Sequence, residues 1–247
     1  MASCCCLHQH QQSLDPDLAY NNYLRSHGYE GENPWHDFAN SAEGPNGEIL
    51  SGWHLRYARL PARVAEEHSE TPYMTRRAIE FLEKVDDTPW CLHLSLIKPH
   101  WPYVVPDPYH EMYSANQIQP TNVTIEEIDN RHPVVGAFMD HEGSENFRRT
   151  EVRQTVIPAY MGLVTQCDTQ FGRLIAYLED KGLMDNTMIV VTSDHGDYLG
   201  DHGLAEKDLL HEEVVRIPMI IYDPDPSQIA FQMMNTRAYS CMGCHMA

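Results

Sequence analysis

The chain has 247 residues, which is enough to bury a substantial core and favours one large domain over two small ones. It carries 36 acidic and 17 basic side chains, for a net charge of -19. A field of that sign repels phosphate backbones and anionic lipid surfaces, so we expect neither nucleic acid nor membrane partners. An anionic substrate would have to be attracted by a local group of cationic side chains or by a metal ion.

The composition also bears on the compartment. No stretch approaches the ~18 apolar residues of a spanning helix, and the N-terminus lacks the basic and apolar regions of a signal peptide. The seven cysteines are an odd number grouped mainly at the two ends, which is not the spacing of a disulfide framework. We therefore expect a cytoplasmic protein with reduced thiols.

The first third of the chain offers one clear element. Residues 1–13 are rich in Cys, His and Gln without periodicity, which predicts a disordered leader. Residues 14–70 are polar and dense in Gly, Asn, Pro and His, so we expect surface loops with few core positions. Apolar residues then recur at spacings of three and four, which predicts an amphipathic helix over 71–85 with an N-cap at Thr71.

A strand is predicted directly after this helix. Leucines alternate with other residues over 91–96, and the segment Lys98-Pro99-His100 ends the strand. Prolines and charges over 103–155 then predict a long excursion that contains short helices.

The last third contains the strongest patterns. One apolar face predicts a helix over 160–181, with Gly182 as its left-handed C-cap. The β-branched run 187–192 is typical of a strand buried on both faces of a parallel sheet, and 217–222 predicts another buried strand. Residues 227–247 show neither periodicity nor caps, which predicts a disordered tail.

These elements predict a fold of the α/β class. Strands alternating with helices indicate a sandwich, with a mixed, largely parallel sheet and helices on both of its faces. Open sheets of this kind bind ligands outside the carboxyl ends of their strands. Both His100 and Asp194 fall at such ends.

Oxygen and imidazole groups are concentrated after the strand at 187–192. Asp194 and His195 are adjacent, and Asp197, Asp201 and His202 follow within a few residues. A hard divalent cation prefers such ligands. The competing interpretation is a solvated acidic turn, since acidic loops with glycine are common.

Three further residues could act on an anion. Lys98, His100 and Lys207 are cationic or hydrogen-bonding groups that could hold a tetrahedral anion or protonate a leaving oxygen. Taken one at a time, each is equally well explained as an ordinary surface residue.

The combination of segments is more specific than any one of them. The sequence TMIVVTSDHGDYLGDHGLAEK at 187–207 closely resembles the C-terminal signature of sulfatases and phosphonate monoester hydrolases of the alkaline phosphatase superfamily. KPHWPY at 98–103 resembles a second segment of the same family, and the intervening helix also looks like its counterpart. The resemblance covers roughly residues 15–226, and we expect an alkaline-phosphatase-like domain over 14–226.

The resemblance implies a hydrolase of sulfate, phosphonate or phosphodiester esters that uses a divalent metal ion, either Mn²⁺, Ca²⁺ or Mg²⁺. Asp194 and His195 would be two metal ligands, while His100 and Lys207 would stabilise developing charge and assist the leaving group. Asp201 and His202 would shape the loop. Lys98 would either contact the substrate, a small anionic ester, or pair with an acidic neighbour.

The sequence also departs from the family pattern. Family members open with a strand that carries acidic metal ligands and with a Cys-x-Pro-x-Arg segment whose cysteine matures to formylglycine, and no cysteine of this chain lies in that pattern. We therefore expect an N-terminally incomplete fold that binds metal weakly. The second hypothesis is a catalytically inactive fragment, a non-catalytic subunit or a remnant, and its partner would be a complementing fragment or another copy of the chain.

Two short motifs are interpreted as coincidences. The pentapeptide from Cys241 to His245 matches the haem-attachment pattern Cys-x-x-Cys-His, but it lies at the end of an aperiodic segment. Asn122-Val123-Thr124 is a glycosylation sequon only in a secreted protein.

Overall fold

A computed structural model describes the protein over residues 3–8, 19–85 and 88–225, with the backbone alone described in the first of these ranges. The chain divides into two compact units, of which the first comprises residues 1–120 and 149–177 and the second residues 121–148 and 178–247. The single domain expected over 14–226 stays a prediction. The predicted tail, 227–247, lies outside the described residues.

The described residues of the first unit include four short strands and three α-helices. Its elements are β1 (Ser3–His8), α1 (Ala19–Ser26), β2 (Ser41–Glu43), β3 (Ile49–Ser51), α2 (Glu70–Lys84), β4 (Trp90–Ser95) and most of α6 (Thr150–Asp180). Strands β1 and β4 pair in parallel, and β2 and β3 pair antiparallel. Strand β1 lies inside the stretch 1–13, for which we expected no regular structure. Composition gave no sign of it, because its pairing with β4 is made by backbone groups.

The expectation of few core positions in residues 14–70 is wrong. Tyr20, Leu24 and Trp35 are all buried and belong to one hydrophobic cluster with Val64 and Val104. Polar contacts help to position these residues, since the backbone N–H of Trp35 donates to the side chain of Asn21 at 2.7 Å. A hydrogen bond between a side chain and the backbone does not require a regular spacing of apolar residues, so hydrophobic periodicity could not predict these core positions.

The two long helices confirm the periodicity argument and correct its boundaries. Helix α2 begins at Glu70, after Ser69, so Thr71 lies in the first turn and is not the N-cap. Helix α6 begins at Thr150, well before the predicted start, because it continues through Pro158. Gly182 closes it with φ of +65°, as predicted. No helix in the described ranges is both long and apolar enough to cross a bilayer.

The described residues of the second unit form four short α-helices and one strand pair. Its elements are α3 (Ile125–Asp129), α4 (Pro133–Met139), α5 (Glu142–Arg148), β5 (Ile189–Thr192), α7 (Glu212–Val215) and β6 (Met219–Tyr222). Helices α3 to α5 confirm the short helices predicted in the excursion. A small core of Met139, Tyr198, Leu204 and Val214 lies beneath the loop that follows β5.

The two predicted buried strands form but are not buried. Strands β5 and β6 pair antiparallel with each other, and Val190, Ile220 and Ile221 are 52%, 61% and 60% exposed. Their sequences are typical of a strand with neighbours on both sides. Within the described part of the chain each has one paired strand, and the outward-facing side chains are left largely uncovered by other described elements.

At Gly196 the loop after β5 lies in close contact with helix α7. Its N–H donates to the carbonyl oxygen of Val214 at 2.8 Å. A β-carbon at this position would overlap the carbonyl oxygen of Glu213, so the approach requires the absence of a side chain.

We predict that Gly196→Ala lowers the free energy of unfolding by about 1–3 kcal/mol, because the new methyl group pushes the loop away from α7. Gly172→Ala is the control, since an added β-carbon there meets nothing within 4 Å. It lies inside α6 and should raise stability by about 1 kcal/mol. Urea denaturation of both variants measures the difference, and equal stability of the two would contradict this account of Gly196.

Candidate active site

Asp194 and His195 lie on the loop that begins where β5 ends. The Asp194 side chain is 86% exposed and that of His195 is 32% exposed. The loop backbone is held locally, because Ser193 donates its hydroxyl to the carbonyl of His195 at 2.7 Å and the N–H of His195 donates to Oδ1 of Asp194 at 3.0 Å. The two side chains are therefore presented together at one point of the loop.

The ring of His195 has a preferred tautomer. Its Nδ1 lies 2.7 Å from the carbonyl oxygen of Gly196, which can only accept, so Nδ1 carries the hydrogen. The lone pair of the neutral ring is then on Nε2, which lies 3.6 Å from Oδ2 of Asp194. Two ligands about 2.0–2.2 Å from one cation have such a separation, so the pair fits as part of a metal site. The described residues contain no cluster of three or more metal-binding side chains.

The loop folds back on itself after Asp194 and His195. The N–H of Tyr198 donates to the carbonyl of Glu206 and that of Gly200 to the carbonyl of Leu204, both at 3.0 Å. Lys207, which is partly buried, follows Glu206 directly and so lies next to the residue that pairs with Tyr198. Leu199, His202 and Glu206 all have positive φ, which side chains other than glycine adopt at a cost.

His202 links this loop to two helices of its unit. Its Nδ1 lies 2.7 Å from the carboxylate of Glu127, which is in α3, and its Nε2 lies 3.1 Å from the carboxylate of Glu213, which is in α7. Both acceptors are carboxylates, so both ring nitrogens donate and the ring is an imidazolium. The side chain is only 14% exposed.

Asn122 joins the same network. Its N–H donates to Asp201 at 2.8 Å, its side chain donates to Glu213 at 3.0 Å, and its carbonyl accepts from the N–H of His202 at 2.8 Å. Thr124, the last residue of the sequon, caps α3 in a reciprocal box with Glu127. The sequon residues therefore have structural contacts. These hydrogen bonds agree with the interpretation of Asp201 and His202 as loop-shaping residues.

The hydrogen bonds shift the pKa values of the network. Burial acts to lower the pKa of His202, but its hydrogen bonds and its attraction to Glu127 and Glu213 outweigh burial and raise it. Backbone bonding by Thr124 and the His202 bond lower the pKa of Glu127. Burial acts to raise the pKa of Glu213. Hydrogen bonds from its own N–H, from Asn122 and from His202 outweigh burial and lower that pKa. The stacked ring of His211, 4.4 Å from His202, and the edge of Tyr198 complete the surroundings.

His100 and Lys98 lie in the first unit, in the segment that follows β4. The Nδ1 of His100 lies 2.6 Å from the carbonyl oxygen of Trp101, so Nδ1 carries a hydrogen and the ring orientation is fixed. His100 is partly exposed, whereas Lys98 is buried. The Lys98 Nζ donates to the carbonyl of Pro102 at 2.8 Å and to the side chain of Asn40 at 3.5 Å.

Lys98 has an acidic neighbour inside the unit. Burial lowers the pKa of Lys98 and raises that of Glu70, and the attraction between the two side chains opposes both shifts. Glu70 also accepts a hydrogen bond from the indole N–H of Trp35 at 2.5 Å. The hydrogen bonds of Lys98 go to a backbone carbonyl and an amide, and its attraction to Glu70 is electrostatic, so both roles expected for it stay predictions.

Cys167 packs against the same lysine. Its thiol donates to the carbonyl of Lys98 at 3.4 Å, and burial raises its pKa to about 11. Cys91 and Cys167, the two cysteines with described side chains, form no disulfide, and the reduced state of the thiols stays a prediction.

A comparison with known protein families identifies the chain. The family model described as Sulfatase matches residues 11–242. The chain belongs to the sulfatase family. This result confirms the resemblance carried by the segments at 98–103 and 187–207.

The relatives of this sulfatase-family chain include enzymes with different names and activities. It is 37% identical over 187 residues to the multifunctional alkaline phosphatase superfamily protein PehA of Trinickia caryophylli, covering 70% of this chain and 36% of PehA. It is 30% identical to an arylsulfatase of Clostridium perfringens, covering 66% of this chain and 34% of that enzyme. The chain thus spans about a third of the length of these curated relatives.

A solved structure confirms the fold class. The phosphonate monoester hydrolase SpPMH of Silicibacter pomeroyi matches with a TM-score of 0.75 and 27% identity, over 86% of this chain and 42% of that one. The α/β, alkaline-phosphatase-like architecture predicted from the sequence is therefore correct. Among the described strands the pairing is mixed, with one parallel and two antiparallel pairs.

The structure brings together some of the predicted site residues. Asp194 and His195 are in contact, and Lys207 ends the same folded loop, while His100 lies in the other unit. Sequence reasoning missed Glu127 and Glu213, the carboxylates that hold His202. The spacing of Thr124 and Glu127 is typical of a capping box and could have indicated Glu127. No local sequence pattern indicates Glu213.

We predict that Lys98→Met lowers the free energy of unfolding by about 3–5 kcal/mol, because it removes the positive charge beside the buried carboxylate of Glu70. The double variant Lys98→Met/Glu70→Gln should recover part of that loss. Lys84→Met, at an exposed position, is the control and should change stability by less than about 0.5 kcal/mol. Denaturant titration measures all three, and a Lys98 variant as stable as the control would exclude an internal ion pair.

We also predict that His202 makes stability depend on pH. Its raised pKa means that its contribution is complete below the unfolded value of 6.5 and is lost as pH rises through the folded value. The lowered pKa values of Glu127 and Glu213 give contributions that are complete above the unfolded value of 4.5 and are lost on acidification. The network should therefore stabilise the chain most between pH 4.5 and 6.5.

The measurement is the difference in unfolding free energy between wild type and His202→Gln as a function of pH. We expect about 1–3 kcal/mol within that window and a smaller difference above it. His54→Gln, at an exposed position, is the control and should change stability by less than about 0.5 kcal/mol. A His202 difference that does not vary with pH would show that the ring is not charged.

Proposed function

We propose that the chain carries the metal-binding and charge-stabilising part of a hydrolase that acts on anionic sulfate, phosphonate or phosphodiester esters. The observation that carries the proposal is the loop after β5, on which the Asp194–His195 ligand pair and Lys207 belong to one folded segment of a sulfatase-family chain. Relatives named as an arylsulfatase and as a phosphonate monoester hydrolase support both ester classes. The proposed partner is accordingly a small anionic ester.

Oδ2 of Asp194 and Nε2 of His195 would hold a divalent cation. One oxygen and one imidazole ligand suit Mn²⁺, and Ca²⁺ or Mg²⁺ would be compatible with further oxygen ligands. When bound, such a cation neutralises substrate charge and polarises the sulfur or phosphorus centre. The hydrogen bond from Nδ1 of His195 to Gly196 fixes the ring so that Nε2 presents its lone pair.

Lys207 and His100 supply positive charge and a proton. The ammonium group of Lys207 would stabilise the negative charge that builds on the non-bridging oxygens during bond cleavage. Protonated His100 would donate from Nε2 to the oxygen of the leaving group, because its Nδ1 is already committed to the Trp101 carbonyl. Esters with a basic leaving group depend most on this proton.

The nucleophile is not assigned to any residue. No cysteine of the sequence lies in a Cys-x-Pro-x-Arg segment, and the chain spans about a third of its curated relatives. The second candidate is an inactive chain that binds the cation without turning over an ester, and the same experiment distinguishes it.

We predict that the chain hydrolyses nitrophenyl sulfate or nitrophenyl phosphonate with added Mn²⁺, and that Asp194→Ala weakens Mn²⁺ binding at least about tenfold because a ligand is lost. Lys207→Ala should leave Mn²⁺ affinity unchanged while lowering kcat by about 10²–10³-fold. Electron paramagnetic resonance of free Mn²⁺ measures affinity, and release of nitrophenol measures turnover.

Asp208→Ala is the matched control, since this exposed aspartate follows Lys207 and is not a proposed ligand. Asp194-dependent Mn²⁺ binding without turnover would identify the inactive chain. Equal Mn²⁺ affinity in the Asp194 and Asp208 variants would reject the metal site itself.

A further inference from the structure

A cavity on the first unit is lined by two side chains of opposite charge. It has a volume of about 320 Å³, and its lining residues are Phe38, Glu43, Pro61, Ala62 and Arg63. All five belong to the first unit, and none of them has a part in the proposed ester chemistry. Small-molecule sites in proteins have volumes of roughly 300–1,000 Å³, so the cavity is large enough for a small ligand. We call it the Arg63 cavity.

Strand pairing places the two charged side chains on one face of the backbone. Ala42 of β2 is paired antiparallel with Ala62, and the N–H of Arg63 donates to the carbonyl of Ser41 at 3.0 Å. Successive side chains of an extended chain point to opposite faces, and both alanines are buried. Glu43 and Arg63 therefore lie on the other face as diagonal neighbours, at positions roughly 7–8 Å apart.

The guanidinium of Arg63 is held in place through only some of its donors. Its Nη1 donates to the carbonyl of Asp37 at 2.5 Å, and its Cζ lies 4.6 Å from the centroid of the Phe38 ring. Phe38 in turn packs edge-to-face against Tyr29, with 5.2 Å between the ring centroids. Neither Nε nor Nη2 of Arg63 has a hydrogen-bond partner among the described residues. These two nitrogens form the planar fork that binds both oxygens of a carboxylate.

Glu43 supplies the opposite charge, and its side chain is exposed. Its carboxylate has no hydrogen bond or ion pair with any described residue, Arg63 included. A simple anion in the cavity would be attracted by Arg63 and repelled by Glu43, and a simple cation would experience the reverse. A molecule that carries both charges is attracted by both side chains. Such a molecule has no net charge, so the chain's net charge of -19 does not repel it.

The remaining walls of the cavity are apolar. They consist of Phe38, Pro61 and Ala62. The Phe38 ring is packed between Arg63 and Tyr29, and a proline ring has little freedom of its own, so both surfaces lose little conformational entropy when a ligand packs on them. An apolar group of the ligand would be bound at these walls.

We propose that the Arg63 cavity binds a zwitterionic α-amino acid with an apolar side chain. The fork of Arg63 holds the carboxylate, Glu43 holds the ammonium group, and Phe38 and Pro61 contact the side chain. The short span between the two charges of an α-amino acid suits two diagonal neighbours that both extend towards it. The site shares no residue with the proposed function and does not depend on it.

The test is a ligand-observed NMR titration of the full chain with L-leucine, without added metal. Two analogues each lack one charge, since isocaproate is leucine without its ammonium group and isoamylamine is leucine without its carboxylate. We expect L-leucine to bind with a Kd of about 1 mM or below. Each analogue should bind at least about fivefold more weakly, because one charged contact is lost.

Glu43→Gln gives changes of opposite sign for two ligands. It should weaken L-leucine binding about fivefold and strengthen isocaproate binding, because the same carboxylate attracts the ammonium group and repels the anion. Glu83→Gln removes an exposed carboxylate of α2 and is the matched control, which should leave both affinities unchanged. Arg63→Lys keeps the positive charge but lacks the fork, so it should weaken both ligands about tenfold.

Three results would overturn the site. They are no binding of L-leucine up to about 10 mM, isocaproate binding as tightly as L-leucine, and a Glu43→Gln variant that behaves like Glu83→Gln. Urea denaturation excludes a folding defect as the cause of any change. Because the carboxylate of Glu43 contacts no described residue, its variant should unfold at the same urea concentration as wild type.

Discussion

The imidazolium of His202 determines the geometry on which the candidate site of the second unit depends. It joins α3, the folded loop and α7 through two charged hydrogen bonds, and its own backbone has φ of +55°. Non-glycine residues in that region cost roughly 1–2 kcal/mol each, and Leu199 and Glu206 add to this. Charge-assisted hydrogen bonds and the close approach of Gly196 to α7 offset that cost. Without these contacts the loop that carries Asp194, His195 and Lys207 would lose its attachment to α3 and α7.

Charge places a second constraint on the site. A chain with a net charge of -19 must attract an anionic ester through local groups, and some of its cationic side chains are already engaged. Lys98 illustrates this, because its ammonium group is buried beside Glu70. A cation held by Asp194 and His195 would then provide much of the attraction, with Lys207 and His100 acting on charge that develops later.

The sequence predicted the elements whose signal is local. Helix α2 and the end of α6 at Gly182 follow from hydrophobic spacing and helix-cap chemistry, and the two family segments identified the fold class. Residues 19–64 were misjudged because Trp35 and its neighbours are buried through polar contacts that have no period. The role of His202 could not be derived, since Glu127 and Glu213 are distant in sequence and only the tertiary fold brings them to one ring. The cytoplasmic location and the exclusion of nucleic acid and membranes rest on composition and stay predictions.

Strands β5 and β6 carry a consequence for the behaviour of the chain in solution. Apolar side chains such as Ile220 and Ile221 are exposed, and neither strand has a second paired neighbour among the described residues. An uncovered strand edge is a template for strand addition and hence for aggregation. Repulsion between like-charged chains opposes such association, and its range falls from about 10 Å to about 3 Å between 0.1 and 1 M salt. The tendency of the chain to aggregate should therefore rise with ionic strength, even where the fold itself stays equally stable.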